Sequence, residues 1–151
     1  METSEGLVKK FKLIRLMAVL MLIVAPAIYL VVANLVLLEP KSGGEHDIMF
    51  YILLLVALSQ PSVVPLIERF QIGKFRHEYG TKASPVGFLT VMFLTKFAVV
   101  EAIYIWGLVI LFVTGDLTRA LLFFPIGAIW SVVYWPREDK MKRTLERLET
   151  L

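Results

Sequence analysis

The stretch Leu16–Leu38, LMAVLMLIVAPAIYLVVANLVLL, carries no charged side chain over 23 residues. A helix rises about 1.5 Å per residue, and the hydrocarbon core of a bilayer is about 30 Å thick. The stretch therefore predicts a membrane-spanning helix, which we place over about 13–38. Pro26 marks a kink in it and Asn34 its main polar interruption. A basic lead of Lys9, Lys10, Lys12 and Arg15 precedes it, as in a signal peptide. The apolar run is too long for one, and no small-residue cleavage site follows, so the segment is read as a retained span.

Three further apolar blocks follow. The second covers about 48–67 and holds Ser59-Gln60-Pro61-Ser62 and Pro65. Two prolines four apart remove two backbone donors, which predicts a bent or unwound helix there. The third covers about 86–113 and exceeds a minimal span, which implies tilt. Thr114-Gly115-Asp116 then makes a tight turn, with Gly115 as a helix C-cap and Asp116 as the next N-cap. The fourth covers about 117–135, contains Pro125, and ends in an aromatic belt of Trp130, Tyr134 and Trp135. Polar loops occupy 39–47 and 68–84.

Composition agrees. The chain of 151 residues is 58% hydrophobic and only 19% charged, where soluble domains are about half apolar and about a quarter charged. The mean hydropathy is +0.73. Thirteen of its 16 Lys and Arg residues lie in the N-terminal lead, the middle loop and the tail, against Lys41 and Arg119 on the other side and Lys96 within block three. The positive-inside rule then places both termini and the middle loop in the cytoplasm. The expected fold is all-α: an integral membrane four-helix bundle of two antiparallel hairpins over 1–136, in the cell inner membrane. A tail over 137–151 follows. Its Met141, Leu145, Leu148 and Leu151 predict a short cytoplasmic amphipathic helix. Two docking modes are open for that stripe: packing on its own protein, or lying on a membrane or partner helix.

Glu101, near the middle of block three, is the residue with most chemical content. Desolvation penalises an ionised carboxylate at that depth, so it is either an ion-binding group or a structural one with a buried partner. Counting from the outer ends, Glu101 and Gln60 each lie 12 residues inward, or about 18 Å deep. Gln60 is therefore the expected second ligand or amide donor, helped by a carbonyl freed at Pro61. Lys96 is expected to snorkel inward or to pair with Glu68, which lies at comparable depth. Arg119 is expected to pair locally with Asp116.

Other chemistries find little support. The chain has no cysteine, and its two histidines, His46 and His77, fall in different loops. No nucleophile elbow or phosphate-binding glycine loop is present. No enzymatic activity, cofactor or metal centre is expected. The basic stretches flank membrane blocks, so lipid rather than nucleic acid is their expected partner.

The run Glu101-Ala102-Ile103-Tyr104-Ile105-Trp106-Gly107-Leu108-Val109-Ile110-Leu111-Phe112 resembles the outer helix of the rotor-ring c subunit (proteolipid) of rotary ATPases. The resemblance implies that Glu101 matches the ion-carrying carboxylate and Trp106 an aromatic position. Ala102 is closer to the proton-carrying type, and Gln60 is similar to the inner-helix glutamine of sodium-binding rings. The chain departs from that family in having no glycine in blocks one and two and in placing the carboxylate on the third block. The longer pattern through Thr114-Gly115-Asp116 to Trp135-Pro136-Arg137 also resembles small four-helix bacterial membrane proteins of unassigned activity. Three functions are thus in view: an accessory or scaffolding subunit of a larger or oligomeric membrane complex; a proton- or cation-translocating oligomer built on Glu101; and a small transporter or lipid-binding protein. The expected partners are the bilayer and either copies of the same chain or other membrane subunits.

Overall fold

The computed structural model describes residues 4–35, 44–74 and 84–149. Every regular element among them is helical. The first apolar segment comprises α1 (Ser4–Val19), a π-helical turn (Leu20–Val24) and α2 (Ala25–Leu35). The remaining helices are α3 (Gly44–Lys74), α4 (Pro85–Thr114), α5 (Leu117–Leu121), α6 (Phe123–Val133) and α7 (Glu138–Glu149). Three segments, Gly6–Leu35, His46–Gly73 and Pro85–Thr114, are long and apolar enough to cross a membrane. The pair Leu117–Val133 and Glu138–Leu148 meets the same test only when joined across a bend of 62°.

The prolines explain the interruptions. Pro26 has no N–H for the carbonyl of Leu22, and the ladder relaxes just before it into a π turn, where the Ala25 N–H reaches the Leu20 carbonyl. Pro125 likewise withdraws the donor that Leu121 needs, and the fourth block breaks at Leu122 into α5 and α6. In α3 one of the two expected outcomes, unwinding, is absent. The helix is not unwound at Pro61 and Pro65 but runs through both. It also extends to Lys74, so Glu68 and Arg69 are helical rather than in a loop. The basic lead is helical as well, because α1 begins at Ser4 instead of near 13.

α4 is the central element. Of its apolar window 44% is buried, against 22% for the first segment and for α3. α1 and α2 run parallel to it, with Phe11 and Ile14 near Val86 and Leu89 at one end, and Ala33 near Ile103 and Ile110 towards the other. α3 and α6 run antiparallel to it. Close approach of α4 to α5 and α6 depends on small residues. A Cβ at Gly107 would lie 2.9 Å from the Ala120 carbonyl oxygen, and one at Gly127 would lie 2.5 Å from Cζ of Tyr104. The Tyr104 ring sits in that gap and its hydroxyl pairs with Ser131 Oγ at 3.0 Å. At the end of α4, Gly115 adopts a left-handed φ of 69° and Asp116 accepts from the Arg119 N–H, so both caps fall where the turn chemistry places them.

The tail stripe packs on its own protein. Met141, Leu145 and Leu148 are buried in one cluster with Phe11, Ile14, Leu89 and Phe93; Leu151 lies outside the described residues. Glu138 bridges Arg15 of α1 at 3.2 Å and Lys142 of α7 at 2.9 Å. The hydrogen bond from Lys142, with Arg15 adding to it, holds the Glu138 carboxyl below its usual range.

Candidate functional site

Glu101 lies mid-way along α4, half-buried, on the side that faces α2. The Tyr29 hydroxyl donates a hydrogen bond to its Oε1 at 2.7 Å. α2 presents Tyr29 there because the segment lies parallel to α4 and packs along it at Ala33. The phenol is a donor suited to the ionised carboxylate, and its ring shields one side of the group. The second carboxylate oxygen makes no hydrogen bond among the described residues. The site is thus a carboxylate with one internal donor and a remaining acceptor position, an arrangement able to take a proton, a cation or a donor from a neighbouring chain.

Gln60, expected as the partner of Glu101, is not bonded to it. Its amide oxygen is buried without a hydrogen-bond partner. The reason is rotational: equal depth brings two residues to one level but does not turn their side chains toward each other. The carbonyl freed near Pro61 also goes elsewhere. Pro65 lacks the N–H that the Pro61 carbonyl would otherwise receive, and the Tyr134 hydroxyl of the α6 end supplies it at 3.0 Å. This tyrosine side chain lets α3 remain helical with one of its two orphaned carbonyls satisfied. A second unpartnered buried group, the Trp106 indole N–H, lies in the layer between α3 and α4 with Leu53, Leu54 and Ala57.

The two charged candidates do meet. Lys96 forms an ion pair with Glu68 and lies 4.7 Å from the Phe93 ring centre. Nearby, Gln71 donates to Thr95 Oγ1 at 3.1 Å, which ties α3 and α4 together at the same end. At the opposite end, Arg119 pairs with Asp116 at 3.1 Å as expected, and also with Asp47 of α3 at 2.5 Å. His46 is described and His77 lies outside the described residues.

Tyr29 and Asp47 are the side-chain partners of Glu101 and Arg119 that sequence reasoning missed. The signal for Tyr29 was present. It lies nine residues inside the end of the first apolar block, close to the depth of Glu101, so a comparison of depth between blocks one and three points to it. No protein-family model, curated protein or solved structure matches this chain.

Proposed function

We propose that this chain is a small integral membrane protein acting as an accessory or scaffolding subunit of a larger or oligomeric membrane complex. In this reading the first segment, α3, α4 and the α5–α6 pair cross the inner membrane as four helices in two antiparallel hairpins, with both termini cytoplasmic. The distribution of Lys and Arg supports that orientation. The observation that carries the subunit reading is the state of Glu101. It is half-buried at mid-membrane depth, holds one hydrogen bond from Tyr29, and leaves an acceptor position open. An acceptor facing hydrocarbon is costly, and a donor from an adjacent subunit removes that cost. The outward apolar stripe of α3, including Ile48, Ile52, Leu55 and Leu66, offers a long surface for such a neighbour or for lipid.

The experiment is native mass spectrometry of the protein extracted gently from its own membrane. A mixed complex supports the accessory reading, and a monomer stable through extraction contradicts it. A second reading, a proton- or cation-translocating oligomer, is favoured by the same open acceptor on Glu101. It predicts a closed homo-oligomer in which a hydrophobic carbodiimide modifies Glu101 and added cation protects it. No catalytic role is proposed.

A further inference from the structure

Four elements converge on a cavity of about 270 Å³ that the accessory reading does not use. α4 contributes Phe93 and Lys96, α3 Glu68, and the end of α6 Val133, Tyr134 and Trp135. α7 lines the rest with Lys140, Arg143, Thr144 and Arg147. These α7 positions recur at helical spacing beside the buried stripe of Met141, Leu145 and Leu148. Docking of that stripe therefore fixes the cationic face over the cavity. Lys96 is paired to Glu68 and Lys140 donates to the Val133 carbonyl at 3.3 Å, so Lys140 and Arg143 leave the lining with a net positive charge.

The level of this cavity identifies its environment. A hydrocarbon core of about 30 Å corresponds to about 20 helical residues. Counted inward from Ile48 and Val113, the outer ends of the second and third apolar blocks, that distance reaches Glu68 on one helix and Phe93, in the turn preceding Lys96, on the other. Tyr134 and Trp135 are the aromatic types that sit at headgroup level. A second cavity of about 350 Å³, lined by Leu22, Ile23, Ala128, Val132, the Tyr104–Ser131 pair and one cation, Arg137, also borders Trp135. Its lining is mainly apolar and lies on the membrane side of the first. A charged pocket and an apolar pocket that share one tryptophan match an amphiphile with an anionic head and an acyl chain.

We infer that the α7-covered cavity binds the phosphate of an anionic membrane lipid, with Arg143 and Lys140 at the headgroup and the cavity beyond Trp135 receiving acyl chain. The inference rests on the membrane reading but not on the choice between subunit and carrier.

The test uses the full chain in a neutral detergent and counts retained lipid by native mass spectrometry. The probes are phosphatidylglycerol, phosphatidylcholine and inorganic phosphate, and Trp fluorescence is read in parallel. Phosphatidylglycerol should be retained in preference to phosphatidylcholine. Arg143→Gln and Lys140→Gln should each weaken retention roughly fivefold. Lys12→Gln, an exposed cation on α1 away from the cavity, should leave it unchanged. Circular dichroism of the variants should match the unaltered chain, which separates lost binding from lost folding. Equal retention of the two lipids, or equal loss in Lys12→Gln, overturns the proposal. Millimolar inorganic phosphate that shifts the Trp signal alone and displaces the lipid overturns the lipid assignment in favour of a soluble phosphate ligand.

Discussion

The Tyr29 hydroxyl meets Glu101 Oε1 at 2.7 Å, joining α2 to the middle of α4. Tyr29→Phe removes this donor while keeping the ring. Membrane hydrogen bonds of this kind are worth about 0.6–2 kcal/mol, so the variant should unfold earlier in a denaturing-detergent titration by that amount. Glu101→Gln keeps an acceptor oxygen for Tyr29 and should stay within about 1 kcal/mol of the unaltered chain. A Glu101→Gln protein of unchanged stability that loses cation-protected carbodiimide labelling and proton conductance together would move Glu101 from a structural to a carrier role.

The Tyr134 bond to the Pro61 carbonyl exists because Pro65 withholds a backbone donor. Tyr134→Phe should therefore cost about 1 kcal/mol in the natural background. Pro65→Ala restores an N–H at the position that serves Pro61, and in that background Tyr134→Phe should cost less. A double-mutant cycle measures the difference. Additive effects would show that the two groups do not serve the same carbonyl.

Gly127 is the contact that admits the Tyr104 ring. The ring is buried and its hydroxyl pairs with Ser131, so it has little room to yield to a methyl group 2.5 Å from Cζ. Gly127→Ala should destabilise the chain by about 1–3 kcal/mol. Adding Tyr104→Ala should recover part of the packing strain but lose ring burial. Thermal unfolding in detergent checks both.

Docking of α7 is read by limited proteolysis. Leu145→Asp places a charge among Phe11, Ile14 and Leu89 and should release the tail for cleavage after Lys140 or Arg143. The ion pairs of Glu138 add a pH dependence. Its carboxyl titrates below the usual range because Lys142 and then Arg15 favour the charged form. Their contribution is present above the ordinary glutamate pKa and is lost as pH falls through the lowered value. Tail cleavage should thus be unchanged from neutral pH down to the ordinary glutamate range and increase only below it.

Much of this architecture is legible in the residues. The ends of α4 follow from Pro85 and from Gly115 and Asp116, whose chemistry admits few alternatives. The Lys96–Glu68 pair follows from depth and charge, and the stripe of α7 from helical spacing. Other features depend on neighbours. α1 starts nearer the N-terminus than the apolar block does, because charge marks the end of a span, not the end of a helix. α3 stays helical across its prolines with help from Tyr134, a residue 73 positions away in sequence. Glu101 was legible as a site, but its partner required helix rotation, which depth alone does not provide. Equal depth therefore points to Gln60 where the structure has Tyr29.

The proposed function depends most on a four-span topology with cytoplasmic ends. The chain contains no cysteine, so single reporters can be introduced at exposed positions: Thr118→Cys beyond α4, Arg69→Cys at the inner part of α3, and Asp139→Cys in α7. Labelling intact cells with a membrane-impermeant maleimide is the direct measurement. The account predicts labelling of Thr118→Cys from outside, and of Arg69→Cys and Asp139→Cys only after permeabilisation. Labelling of Asp139→Cys in intact cells would contradict it, because α7 would then lie outside and neither the four-span bundle nor the headgroup pocket could stand as described.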